Sequence, residues 1–275
     1  MAYSAVIFWV LLTEALSADL RIEPGAFGSG KAYVRCSFDG VEQMCFLDTG
    51  SAMSLVGPSK PFLRKPSSGK FRYKSASGKL HEAEVMRVGT IILDGKVIHD
   101  VRIGRLARPD SENTLGMDLL GRFPFSLDFR TEPKLRLEPK RRVDRELRDL
   151  RVLKSGLMAM PILLGGVGTF AVWDTGASVT AVDINFVRAY PKNFQKLTQK
   201  IEGVDGTGET LKLELYRARE LQIGTKRFTN PTVVVLDLSP LRDSVGTAVQ
   251  AVIGSNLIRR AEWYFDRNGR KWSVR

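Results

Sequence analysis

Cys45-Phe46-Leu47-Asp48-Thr49-Gly50-Ser51 and Ala171-Val172-Trp173-Asp174-Thr175-Gly176-Ala177 are the two stretches that decide how this chain reads. Each is a short apolar run ending in Asp-Thr-Gly, followed by a small residue and then another apolar stretch. Asp and Gly are turn residues, so a single triplet would pass for an ordinary turn. Two copies in matched context point instead to a duplicated domain in which each half contributes one carboxylate to a shared site.

The rest of the repeat agrees. Thr114-Leu115-Gly116-Met117-Asp118-Leu119-Leu120 follows the first triplet, and Val252-Ile253-Gly254-Ser255-Asn256-Leu257-Ile258 follows the second. Both read as a β-branched residue, an aliphatic one, Gly, any residue, Asp or Asn, then two aliphatics. Upstream, each half predicts a strand, a tight turn and a strand, with Asp39-Gly40 and Gly165-Gly166 as the hairpin turns. Both halves close on similar segments, Phe125-Ser126-Leu127-Asp128-Phe129 and Glu262-Trp263-Tyr264-Phe265-Asp266. The shared order makes an internal duplication the economical reading.

These residues resemble the aspartic peptidases, specifically the retropepsin-like lobe, which carries an Asp-Thr-Gly-Ala/Ser loop and a later apolar-apolar-Gly segment supporting it from behind. Thr114 departs from the aliphatic residue usual there. Retroviral proteases pair two identical lobes and pepsins fuse two divergent ones; this chain looks like a fusion of two short lobes, over about residues 30 to 275. The resemblance implies a mainly β fold of two barrel lobes related by a pseudo-two-fold axis: an N-terminal lobe at 19–133, a charged linker at 134–155 and a C-terminal lobe at 156–275. It further implies that Asp48 and Asp174 are catalytic, that Thr49 and Thr175 hydrogen-bond across to the opposite loop, and that Gly116 and Gly254 support the loops. A Ser in the position of Ser51 can hydrogen-bond the outer carboxylate oxygen; the second half has Ala177 there.

Peptide hydrolysis without a covalent intermediate needs an activated water and a polarised carbonyl together, which one ionised and one protonated carboxyl supply. Two carboxylates about 4 Å apart at an effective dielectric near 20 repel by about 4 kcal/mol. That is roughly three pKa units, so the pair shares a proton over a wide pH range, behaviour the aspartic proteases are known for. Gly50 and Gly176 lack a Cβ and let the two loops approach closely.

A hairpin covering the substrate is expected in one or both halves. In the second, Ile201 to Gly208 is a glycine-rich turn before the alternating Leu211 to Leu215, with Gly206 and Gly208 at its tip. In the first, Phe71 to Gly78 is shorter and more basic, with Ser77 and Gly78 at the tip; an ordinary surface hairpin is the competing reading. Short helices are predicted at Met117 to Arg122, Ser255 to Arg260 and Ile184 to Tyr190, and strands elsewhere.

The chain has 275 residues, is 43% hydrophobic and carries a net charge of +12. This is enough for two compact lobes with ordinary cores. The basic excess sits largely in Lys60 to Lys79 and around Lys140-Arg141-Arg142. No nucleic-acid motif or interleaved aromatic platform accompanies it, so a solvated basic surface is expected rather than nucleic-acid binding, and a preference for acidic substrates stays open. Ala5 to Leu12 is apolar and is followed by Ala15-Leu16-Ser17-Ala18, resembling a secretory signal over 1–18. The absence of Lys or Arg before it, and Glu14, leave a buried N-terminal strand and a cytoplasmic location as the alternative; neither this run nor any other segment is a comfortable membrane span.

Cys36 and Cys45 bracket the first hairpin. A four-residue loop from Asp39 to Glu42 would face them for a disulfide, whereas a two-residue loop leaves buried thiols. His81 and His99 make no persuasive metal site, and no glycine-rich phosphate loop precedes a helix. The expectation is an exported, cofactor-free, metal-free monomeric aspartic endopeptidase acting on extended peptide or protein substrate. The rivals are a catalytically inactive peptide-binding module of the same fold and a pairing of two chains through their triplets.

Overall fold

The structure, a computed structural model, describes residues 17–58, 60–75, 78–108, 111–138, 146–204, 208–239 and 249–275. Strands dominate it. The hairpin before the first triplet pairs Gly30–Phe38 with Val41–Leu47, Phe38 lying opposite Val41. Asp39 and Gly40 form the two-residue loop with φ of 49° and 81°, a left-handed pair that matches the twist of the flanking strands. The second half repeats this: Met158–Leu164 pairs with Val167–Trp173, Leu164 opposite Val167, around Gly165 and Gly166 at φ 59° and 83°.

Two sheets result. One end of the thirteen-stranded sheet mixes both halves, in the order Arg148–Asp149, Lys271–Val274, Glu262–Asp266, Phe125–Asp128, Lys134–Leu137, Ala18–Pro24. The two similar closing segments noted in the sequence are thus neighbours, Trp263 opposite Leu127 and Phe265 opposite Phe125. The remaining strands of that sheet come from the first half, and an extra pairing between Gly30–Phe38 and Leu80–Leu93 joins their run back on itself. The ten-stranded sheet is built from the second half and has no such closing pair among the described residues. The sequence expectation of two barrels therefore meets one self-joined run and one open sheet.

Packing ties the halves together. Trp173, immediately before the second Asp, is fully buried, with its ring 4.5 Å from that of Phe265 and 5.8 Å from Trp263. Phe265 in turn lies 5.4 Å from Phe125 of the first half. Each such ring buries roughly 150–250 Å², so this pile anchors the strand that delivers Asp174. Below the sheets a single large core cluster runs from Leu20 to Trp272 and includes Leu47, Leu115 and Ile253 beside the two triplets.

The charged stretch 134–155 enters the sheets: Lys134–Leu137 pairs with Phe125–Asp128, Arg148–Asp149 with Trp272 and Lys271, and Arg151–Val152 with Ala159 and Met158. Helices occur at Met117–Leu120, Ile184–Ala189 and Ser255–Ile258, near their expected places, and also at Lys60–Leu63. None of the described helices is long and apolar enough to cross a membrane.

Cys36 and Cys45 form a disulfide with 6.1 Å between Cα atoms, although the loop is the two-residue one. Cys36 lies opposite Gln43 and Cys45 opposite Val34, so the cysteines are two residues out of register. Side chains two apart share a face of a strand, and such diagonal neighbours stay within reach. A two-residue loop therefore does not keep the thiols apart, because the diagonal across the strands brings them together.

Candidate active site

Each Asp-Thr-Gly follows the second strand of its hairpin, and its position is set by a parallel neighbour. Val41–Leu47 lies parallel to Thr114–Leu115, and Val167–Trp173 lies parallel to Val249–Ile253. The Asp48 N–H donates to Leu115 O at 3.0 Å, and the Asp174 N–H donates to Ile253 O at 3.0 Å. Gly116 and Gly254 come next and press against the loops. A Cβ on Gly116 would lie 2.8 Å from Ser51 O, and one on Gly254 2.8 Å from Ala177 O. The following N–H groups donate to those same carbonyls, Met117 to Ser51 O at 2.9 Å and Ser255 to Ala177 O at 2.7 Å.

A second pair of contacts holds the far side of each loop. Ser54 gives both its N–H and its hydroxyl to Asp118 Oδ1, at 2.8 and 2.6 Å, while its Oγ accepts the Gly116 N–H at 2.9 Å. Thr180 gives its N–H and hydroxyl to Asn256 Oδ1, both at 2.9 Å, and its Oγ1 accepts from Gly254 N–H at 3.1 Å. Sequence reading missed Ser54 and Thr180. Their signal was a hydroxyl residue six positions after each Asp, matched to the Asp or Asn two positions after each supporting Gly.

The two loops then interlock. Thr49 Oγ1 donates to Trp173 O at 2.9 Å and accepts the Thr175 N–H at 3.0 Å. Thr175 Oγ1 donates to Leu47 O at 2.6 Å and accepts the Thr49 N–H at 3.1 Å. Both threonines are buried, at 0% and 2% exposed, so these four bonds are screened from water and couple the loops rigidly. The carboxyls face each other across the glycines. A Cβ on Gly50 would sit 2.5 Å from Asp174 Oδ1, and one on Gly176 would sit 2.5 Å from Asp48 Oδ1.

Asp48 and Asp174 are partly exposed on one side and within hydrogen-bond reach of each other. Burial first, then the charge of Asp174 and the bond to it, hold the Asp48 carboxyl well above the usual range; N–H groups of Gly50 and Ser51 pull the other way. Burial also raises Asp174, but the Gly176 N–H, the bond from Asp48 and the N–H groups of Ala177 and Gly50 oppose it. The Ser51 hydroxyl donates to Met53 O at 2.7 Å, so it is the Ser51 main chain that reaches Asp48.

Both candidate flaps are hairpins. Ser67–Lys74 pairs with Leu80–Leu93, and Phe194–Val204 pairs with Thr210–Ala218. Gly78 and Gly208 take φ of 81° and 87°; Ser77 and Gly206 lie outside the described residues. The two hairpins meet at Lys79 and Glu209, whose Nζ and Oε2 are 2.8 Å apart, and the Arg108 guanidinium, from outside both hairpins, packs against Gly208. Ile201 and Leu213 of the second hairpin pack in a small apolar cluster with Val179, Ala181, Val252 and Phe27, which connects that hairpin to the loop of the second triplet. Two surface depressions, of about 360 and 540 Å³, lie elsewhere in the second half and include neither Asp. Among the described residues, no group of three or more His, Cys, Asp or Glu is placed to hold a metal ion.

Residues 160–257 match a family model described as aspartyl protease. An aspartic proteinase from Irpex lacteus has a similar structure, with a TM-score of 0.61 at 14% identity, over 94% of this chain and 96% of that one. No curated protein matches the chain. The chain thus has a pepsin-like fold along nearly its whole length, and its residues 160–257 are similar to the aspartyl protease family.

Proposed function

We propose that this chain is an aspartic endopeptidase, built as two lobes at 19–133 and 156–275 around a pseudo-two-fold axis, that hydrolyses extended peptides between Asp48 and Asp174. The observation that carries this reading is the reciprocal interlock of Thr49 and Thr175, which holds two carboxyls in contact; burial raises the affinity of both for a proton, and the charge of Asp174 adds to it at Asp48. A structural turn has no need of such a pair.

At rest the dyad shares one proton, burial raising both carboxyls. The ionised carboxyl takes a proton from a water as that water attacks the peptide carbonyl carbon, and the protonated one hydrogen-bonds the carbonyl oxygen as negative charge grows there. On collapse of the tetrahedral species the carboxyl hydrogen-bonded to that oxygen gives its proton to the leaving nitrogen, so the dyad again holds one. The macroscopic acidities belong to the pair as a unit. The meeting of the hairpin tips through Lys79 and Glu209 supports a substrate path that opens when they part; an exposed pair of this kind is worth at most about 1 kcal/mol, so opening is easy. The catalytic unit is then a monomer, exported, with its disulfide intact.

The test is digestion of a diverse peptide library in ¹⁸O-water by wild type, Asp48→Asn and Asp174→Asn. Internal cleavage with ¹⁸O in the new carboxylate, lost in both variants, is the expected result. Binding of peptides by all three proteins with turnover by none would make this a peptide-binding module instead.

A further inference from the structure

Asp94 carries a carboxyl whose surroundings are incomplete. It opens the Asp94-Gly95 turn between Leu80–Leu93 and Lys96–Arg105, with φ of 49°. Its Oδ2 accepts the Leu137 N–H at 2.6 Å. Its Oδ1 is enclosed and makes no hydrogen bond of ordinary geometry, although the Ala18 main-chain nitrogen lies beside the same carboxyl. Lys96 and Arg136 act on this carboxyl through their charge without a hydrogen bond to it, and Lys96 is paired with Glu138. A buried carboxylate oxygen with one neutral amide near it is under-satisfied.

Ala18 is also the first residue of the strand Ala18–Pro24, paired with Leu135, while Asp19 pairs with Lys134 and Leu20 with Val34. A cut after Ala18 would remove a paired residue and place the bulky Leu16 at the third position before the scissile bond. A cut one residue earlier presents Ala15-Leu16-Ser17, small-any-small, the pattern export peptidases recognise after an apolar run. Ala5 to Leu12 supplies that run.

We propose that an export signal peptidase hydrolyses the Ser17–Ala18 bond and that the α-ammonium so released docks on Asp94. Water adds its hydroxyl to the Ser17 carbonyl and a proton to the Ala18 nitrogen, which takes up a second proton at neutral pH. One uncharged N–H thereby becomes a cation with three donors, enough to satisfy Oδ1 and to neutralise the carboxylate. The strand pinned in this way bridges the mixed end of the large sheet and the run that carries Asp48. It leads to Gly30, whose N–H donates to Ser255 Oγ at 3.1 Å, and the Ser255 N–H donates to Ala177 O beside the second triplet. The leader's removal is then felt at the candidate site. This inference rests on the export reading and is independent of the catalytic one.

The experiment begins with the intact chain expressed through a bacterial secretory route and sequenced from its N-terminus. Ala18 is the expected first residue; Asp19, or retention of Met1, overturns the proposal. Protein with a free Ala18 is then compared with the same protein extended by Ser17, each with Asp94 and with Asp94→Asn. Asp94→Asn should lower Tm markedly in the free-Ala18 form and little in the extended one; equal losses in both contradict the docking. Should an extended form fail to fold, the Ala18 amine is titrated by ¹⁵N NMR in folded free-Ala18 protein. It should titrate above the ordinary α-amino range with Asp94 and within it in Asp94→Asn, and identical titration in the two refutes the ion pair. Neither readout depends on peptidase activity.

Discussion

Replacing Asp48 with Asn should cut turnover steeply and at the same time stabilise the protein at neutral pH. Asn nearly keeps the size of the side chain and has no ionised form, so the folded protein no longer has to hold a proton between two facing carboxyls. Full repulsion at about 4 Å and an effective dielectric near 20 is about 4 kcal/mol. Because both carboxyls are partly exposed, solvent screening leaves roughly half, about 2 kcal/mol. The sign follows from linkage. Folding raises the Asp48 carboxyl above its ordinary value of 3.8, so the folded state binds the proton more tightly than the unfolded state does. The stability this lends is present in acid and is lost as pH rises from about 4 through the folded-state value. Asp48→Asn is exempt from that loss. Its Tm should exceed wild type by about 4–8 °C at pH 7, taking roughly 2–4 °C per kcal/mol for a chain of this size, and should equal wild type near pH 3. Activity should fall by about 10²–10⁴, the usual loss for a removed acid–base group. Calorimetry at the two pH values decides it: a Tm unchanged at pH 7, or shifted equally at both, would refute the coupling of the two carboxyls.

Other perturbations read different contacts. Thr49→Val should cost about 2–6 kcal/mol in urea denaturation, since the buried Thr175 N–H and Trp173 O lose their partner at about 1–3 kcal/mol each. Gly254→Ala should cut kcat/KM at least tenfold, because the new methyl meets main-chain atoms of Val179 and Ala177 at 2.7 and 2.8 Å and must push the loop of Asp174. Reducing the Cys36–Cys45 disulfide, which closes a short loop, should lower stability by about 2.5 kcal/mol, seen as a Tm drop with reductant that Cys36→Ser/Cys45→Ser lacks. Lys79→Glu should part the hairpin tips by charge repulsion with Glu209, changing KM and its salt dependence. The double exchange Lys79→Glu/Glu209→Lys should restore both.

Much of the site was legible because its chemistry is local. Two loops that must cross without Cβ atoms require Gly, and buried reciprocal bonds require Thr, so Asp-Thr-Gly repeats as a short string. The hairpin turns were equally local, since Asp39-Gly40 and Gly165-Gly166 are among the few pairs that accept two left-handed residues. Less legible were contacts made across long separations. Ser54 reaches Asp118 over 64 positions and Thr180 reaches Asn256 over 76, and no periodicity within one strand reports such a bond. The Cys36–Cys45 bridge is hard to read for a different reason: the loop sets the register, but it is the diagonal reach of side chains two positions apart that closes the bridge. In the charged stretch 134–155 the alternating Lys134, Leu135, Arg136 and Leu137 bury one face, Leu135 and Leu137 lying in the core, which is the period of two that an extended strand requires.

The central claim is that Asp48 and Asp174 act as one unit, and rates for wild type, each Asn variant and the double variant on one cleavable peptide test it most directly. Groups that work only together lose everything at the first deletion, so each single variant should be as slow as the double. A single variant that keeps substantial turnover, or losses that multiply in the double, would contradict the account.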